Sequence, residues 1–199
     1  SGKSYSSVLC PKIIGSYESE LSEKIKQLTQ EKSCFIDIGC AEGYYTTGIA
    51  ATTLIPKIIG IDIDNLALEA AKSSADLNNV GHKCIFKKNL DEATSELESN
   101  CMVMIDVDGS EISVVSTFCS IAKNQRLENI SLIVESDYNP DGTANTQSIV
   151  DLLVKNAFSI DEIISQDISR RFNELSKNLC TGMLDLTILG LERPTDQQW

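Results

Sequence analysis

Short apolar runs recur along the chain: SCFIDIG (33–39), PKIIGID (56–62), HKCIFK (82–87), CMVMIDVDG (101–109) and ISLIVESD (130–137). Each is brief, rich in Ile, Val or Phe, and bounded by polar residues or glycine, as strands buried on both faces are. Segments of helical spacing lie between them. Tyr44–Thr53 follows the first run. Leu66–Asn78 follows the second, with Leu66, Ala70 and Leu77 as its apolar positions. Glu111–Lys123 follows the fourth and carries Ile112, Val115, Phe118 and Ala122 on one stripe. Thr143–Asn156 follows the fifth, and Glu18–Gln30 precedes them all as an amphipathic segment with Leu21, Ile25 and Leu28 on one side.

Such alternation predicts βαβ units and a parallel sheet covered by helices on both faces. Two further strand candidates, FSIDEIISQ (158–166) and GMLDLTILGL (182–191), are joined by a polar stretch without helical period and suit an antiparallel addition at one edge. No internal repeat or linker interrupts residues 1–199, so one domain is expected, with 1–32 as an N-terminal helical extension.

Composition narrows the function classes. The 199 residues allow a sizeable core, and no apolar stretch reaches the length of a membrane span. The seven cysteines are odd in number and form no C-x-x-C pair, which argues against a disulfide framework or a structural zinc. A reduced, cytoplasmic protein is expected. The formal charge of −12 repels phosphate backbones, and only SRRF (169–172) and Lys87–Lys88 come near a basic patch. Nucleic acid is a disfavoured partner and a small molecule the favoured one.

Ligands of open α/β sheets sit at the carboxyl ends of the strands, so the loop Gly39–Gly43 is the first candidate site. Its spacing, Gly39-Cys40-Ala41-Glu42-Gly43, misses the dinucleotide fingerprint, and no lysine completes a phosphate-binding loop. Asp37 and Glu42 make a poor setting for a pyrophosphate. They suit a ligand with positive groups, such as S-adenosylmethionine. Asp37 would take the ammonium and the loop amides the carboxylate. Asp62, 25 positions after Asp37, would take the ribose hydroxyls.

FIDIGCAEGYYTTGIA together with IIGIDIDNLALEAAK resembles the class I S-adenosylmethionine-dependent methyltransferases. The first run is similar to that family's D-x-G-x-G-x-G motif, with Ala41 in place of the middle glycine. The second is similar to its ribose-acid motif. The resemblance implies a Rossmann-like, doubly wound, seven-stranded sheet, mostly parallel with an antiparallel C-terminal strand. It implies cofactor contacts at Asp37, Gly39, Cys40, Ala41, Glu42, Gly43, Asp62 and Ile63. It also implies adenine contacts after the third strand, at Asn89 and Leu90, with Asp91 as a further position.

Met104–Val115, MIDVDGSEISVV, is similar to the IDVEGxE pattern of FkbM-type methyltransferases, many of which act on hydroxyl groups. Asp106, Gly109 and Glu111 match that pattern, Asp108 replaces a glutamate, and Glu135 stands at the next strand's acidic end. Asp106 is the candidate to contact the cofactor and to orient or deprotonate the acceptor. Asp106, Asp108 and Glu135 also form a candidate divalent-cation set, whose metal the sequence leaves unknown. For Asp108 and Glu111 capping of the following helix is the favoured reading. His82 reads as a solvated loop residue, Cys40 as small packing, and Arg170 and Arg171 as solvated or substrate-facing. Tyr44 and Tyr45 read as packing against the N-terminal segment. The expected function is methyl transfer to a small-molecule hydroxyl. An NAD(P)-binding oxidoreductase and a non-catalytic partner subunit of the same fold are the rivals.

Overall fold

The chain is described by a computed structural model over residues 9–15, 17–137 and 144–164. Five strands form one parallel sheet: β1 (Cys34–Ile38), β2 (Lys57–Ile61), β3 (Cys84–Lys87), β4 (Cys101–Ile105) and β5 (Ser131–Val134). Their order is β3-β2-β1-β4-β5. The helices are α1 (Leu9–Ile14), α2 (Ser22–Thr29), α3 (Tyr44–Thr52), α4 (Asn65–Leu77), α5 (Leu90–Ala93), α6 (Glu111–Gln125) and α7 (Thr146–Lys155). All five expected strands form, each trimmed to its apolar centre.

Both faces of the sheet are covered, which explains why the runs read as continuously apolar rather than alternating. Phe35, Ile58, Met102, Met104 and Ile133 point to one side, against Leu21, Ile49 and Ala50. Ile36, Ile38, Ile59, Val103 and Ile105 point to the other, against Val115, Phe118, Ile149 and Leu153. Chain direction across the sheet reverses between β1 and β4, so their carboxyl ends open the crevice where an α/β sheet binds its ligand.

Several helical readings shift. In α4 the buried positions are Ala67, Leu68, Ala71 and Ala75, while Leu66 and Leu77 stand 59% and 79% exposed. Asp64 caps the helix by accepting from the Leu66 N–H at 2.9 Å, which sets its phase. The face toward the sheet is then alanine-rich and allows close approach. Gly43 uses that approach: a Cβ there would lie 3.0 Å from Ala71 Cβ. In α6 Val115, Phe118 and Ala122 are buried as expected, but Ile112 is exposed. The Glu18–Gln30 segment begins with Glu18 in the left-handed region (φ 48°), then a 3-10 turn at Ser19–Leu21, and only then α2. The short helices α1 and α5 were not expected, since neither is long enough to show a period.

The strand candidate at 158–166 shows no strand over its described part, 158–164. The candidate at 182–191 lies outside the described residues. Among the described residues the sheet has five parallel strands, without the antiparallel strand expected at its edge.

Gly39 fixes the close passage of β1's exit under β4. It sits at φ +89°, and a Cβ on it would come 1.6 Å from the Asp106 carbonyl oxygen. No side chain fits there without parting the two strand ends. Gly39→Ala is expected to lower stability by more than about 3 kcal/mol, seen as a drop of roughly 10 °C in the melting temperature.

Candidate active site

Four residues extend the ladder one step beyond the strands. Asp62 N–H donates to the Lys87 carbonyl at 3.2 Å, Gly39 N–H to Ile61 at 2.8 Å, Asp106 N–H to Ile38 at 2.9 Å and Glu135 N–H to Ile105 at 2.9 Å. Asp62, Gly39, Asp106 and Glu135 thus stand in one row across the carboxyl edge. Three acids flank one glycine, whose missing side chain leaves room for the Asp106 backbone to pass close over it. The row borders a cavity of about 690 Å³, within the usual size for a small-molecule site.

The cavity wall includes Asp37, Gly39, Cys40, Ala41, Asp62, Ile63, Asn89, Leu90, Asp91, Asp106, Asp108 and Glu135. Most of the expected site residues therefore come together. Glu42 and Gly43 do not join them. Glu42 turns to Lys12 of α1, whose ammonium meets its carboxylate at 2.5 Å. Gly43 starts α3 in the left-handed conformation (φ 81°) and packs on α4. The loop is accordingly not purely acidic. Lys12 itself reaches the cavity wall, beside Tyr17 and Tyr44, and its ammonium lies 4.9 Å and 5.2 Å from their ring centroids. No local signal in the sequence tied residue 12 to residue 42.

The loop amides are also engaged within the fold. The N–H groups of Gly39 and Cys40 donate to the Ile61 carbonyl and that of Gly43 to Cys40. The Ala41 N–H donates to Asp62 Oδ2 at 2.8 Å. Those four N–H groups are thus engaged within the fold, and Lys12 is a cation at that end of the cavity. Ala41 occupies the left-handed region (φ 46°), which is where the resembling motif carries glycine. Asp62 holds the loop with one oxygen and the Asp64 N–H with the other, at 2.9 Å, and each oxygen keeps a lone pair for a ligand.

Asp37 is buried, and its Oδ2 accepts from Thr46 N–H at 2.9 Å and Thr46 Oγ1 at 2.6 Å. Burial raises its pKa to about 7, against the lowering effect of the Thr46 hydrogen bonds. Thr46 was missed in the sequence because its role depends on α3 docking over β1. Asn89 accepts from the Glu92 N–H at 2.9 Å and so caps α5, which turns Leu90 and Asp91 toward the cavity. Along α6 a row of Ser110, Ser113 and Thr117 adds neutral hydroxyls to the wall.

Glu135 is 2% exposed. Burial, then a hydrogen bond with Asp106, then the charges of Asp106, Glu18 and Asp137 hold its carboxyl far above the usual range. Glu18 in turn accepts from Tyr45 Oη at 2.5 Å, tying the N-terminal segment to this corner. Tyr44 packs edge-on to Tyr17, in keeping with the packing role expected of the pair.

Glu111 opens α6 but ties the preceding loop to Asn145 and does not cap a helix N–H. It is buried and accepts from the Gly109 N–H and from Asn145 Nδ2 at 2.9 Å. Asp108 is exposed in the left-handed region (φ 34°) at the cavity mouth, and no capping bond from its side chain occurs among the described residues. Among the described residues no group of three His, Cys, Asp or Glu side chains could hold a metal ion, so the candidate cation set is not assembled. His82 is exposed in a 3-10 turn ahead of β3, as expected. Burial pushes the Cys40 thiol up, consistent with a packing role. No described helix is long and apolar enough to cross a membrane. Residues 138–143 and 165–199, with Arg170 and Arg171, lie outside the described residues.

Residues 20–103 match the family model described as ribosomal protein L11 methyltransferase. The match spans the glycine loop and Asp62 and stops just before Asp106. Among solved structures, a precorrin 8W decarboxylase of Methanobacterium thermoautotrophicum is 17% identical with a TM-score of 0.56, over 73% of this chain and 75% of that one. A precorrin-6y C5,15-methyltransferase of Geobacter metallireducens GS-15 is 10% identical with a TM-score of 0.56, over 74% and 75%. An Aeropyrum pernix fibrillarin with natively bound S-adenosyl-L-methionine is 9% identical with a TM-score of 0.55, over 75% and 69%. These likenesses establish a Rossmann-like methyltransferase fold. With the family-model match they support an S-adenosylmethionine-dependent methyltransferase, with S-adenosylmethionine as its cofactor. The FkbM-type pattern finds no support in these matches.

The folded chain holds the Asp37 proton more tightly than the unfolded chain does. The stability that Asp37 contributes to the ligand-free protein is then fully present below the unfolded pKa of 3.8 and is lost as pH rises toward about 7. Glu135 acts in the same sense to higher pH. Chemical denaturation of wild type should show a loss on the order of 4 kcal/mol across the Asp37 window, and Asp37→Asn should flatten that part of the curve.

Proposed function

We propose that residues 1–199 form one methyltransferase domain that moves a methyl group from S-adenosylmethionine to a hydroxyl oxygen of a small molecule, in the reducing cytoplasm. The observation that carries the reading is the row of Asp62, Gly39, Asp106 and Glu135 along one cavity. The donor set fits the cofactor. Asp62 would hold the ribose hydroxyls and Asp37 the ammonium. Lys12 would meet the carboxylate, in exchange with Glu42. Ile63, 81% exposed at the cavity rim beside Asp62, offers apolar surface to a flat base, with Asn89 and Leu90 opposite.

The bound cofactor supplies an electrophilic methyl group on a sulfonium. The protein's part is alignment, exclusion of water and removal of the acceptor's proton. Asp106 stands in the row of strand-end acids and lines the cavity, so it is the group to receive that proton. A second reading, an amine of a peptide as acceptor, is favoured by the description of the matched family model and by the acidic corner at Glu135.

Calorimetric titration with S-adenosylmethionine should give micromolar binding that Asp62→Ala weakens at least tenfold, with no comparable binding of NADH. An ammonium requires Asp37 ionised, so affinity should fall as pH drops below about 7, by up to about tenfold per unit, and Asp37→Asn should remove that dependence. Tight NADH binding would return the oxidoreductase reading. Absence of both ligands would leave the non-catalytic subunit.

A further inference from the structure

The corner where Asp106 meets Glu135 has an unmet hydrogen-bonding need. Asp106 and Glu135 are neighbours in the row at the strand ends and both line the cavity, and an ionised carboxylate only accepts. Glu135 Oε1 has no hydrogen-bond partner among the described residues, although Glu135 is 2% exposed and lines the cavity. A buried, unsatisfied oxygen costs about 1–3 kcal/mol, and such an atom in a cavity wall marks where a ligand's donor belongs. The charged groups acting on Glu135 are the acids Asp106, Glu18 and Asp137. Lys12 pairs with Glu42 and, in the proposed complex, with the cofactor carboxylate. The complement must come from outside the described chain.

From this arrangement we infer that the corner is an acceptor subsite for a 1,2-diol. One hydroxyl donates to Asp106 and its neighbour donates to Glu135 Oε1. A single hydroxyl has one proton and leaves one of the two oxygens unmet. An ammonium has enough donors, but it has no lone pair and would sit beside the cofactor's own positive charge. The hydroxyl row of Ser110, Ser113 and Thr117 gives the same cavity a neutral, polar wall suited to a polyol. The inference rests on the methyltransferase reading and names the acceptor class for its site. Glu135 is then a specificity-determining residue.

The test titrates the full chain, saturated with S-adenosylhomocysteine, with cis-1,2-cyclohexanediol, cyclohexanol, cis-2-methoxycyclohexanol and cyclohexylamine, following binding by NMR. The diol should bind at least tenfold tighter than cyclohexanol or the monoether. Glu135→Leu should reduce that preference to within twofold and leave S-adenosylmethionine binding unchanged. Glu135→Gln, which keeps an oxygen toward the cavity and a donor toward Asp106, should retain it. If the Leu variant does not fold, Glu135→Ala carries the same expectation. The inference is overturned by equal binding of diol and cyclohexanol, by an unchanged preference in the Leu variant, or by tighter binding of cyclohexylamine. Cofactor binding without diol preference sinks this inference alone. Absence of cofactor binding sinks the methyltransferase reading, and this inference with it.

Discussion

One extra step of the parallel ladder underlies the candidate site. Four backbone N–H groups, those of Asp62, Gly39, Asp106 and Glu135, each donate to the last carbonyl of the neighbouring strand. Residues that would otherwise be loop become part of the sheet, with their side chains held to one side. The position of each acid is then set by backbone hydrogen bonding rather than by its own rotamer alone. That rigidity suits a site whose task is alignment, because a misplacement of an ångström is costly there. The close passage of Gly39 beneath Asp106 is part of the same constraint, since the ladder step is possible only where one strand exit lacks a side chain.

Concentrating acids on one row has an electrostatic cost. Asp37 and Glu135 are both buried among other carboxylates, and both hold their protons well above the ordinary range. Thr46 offsets part of the cost at Asp37 with two hydrogen bonds. A cationic ligand relieves this repulsion more than a neutral one does, so ligand-free and ligand-bound forms differ in stability for a reason that lies in the protein's own charge pattern.

The sheet was legible in the sequence because its strands are buried on both faces, which leaves short uninterrupted apolar runs such as CFIDI and CMVMI. Helix existence was legible too, but helix phase was not always. In α4 the leucines at 66 and 77 suggested a face that the alanines at 67, 71 and 75 take instead, because the close contact with Gly43 selects small residues. At the site, Asp37, Asp62 and Asp106 could be found by their place at strand ends. Lys12 and Thr46 could not, since each is tied to its partner only by tertiary docking. The same docking removed Glu42 from the expected contacts. The C-terminal strand candidates concern residues for which the described fold gives no ladder.

Lys12 and Tyr17 of the cavity wall, with Glu18 beside them, precede the sheet in sequence, yet this segment closes on partners made later. Glu18 meets Tyr45, and its charge is felt at Glu135. These are long-range contacts, which form slowly because the intervening loop must first be closed. During synthesis the segment that seals the cavity therefore emerges before the strands that give it a seat. Its seat is built from the sheet's own exits and helices, so the cavity has its full wall only when both are in place.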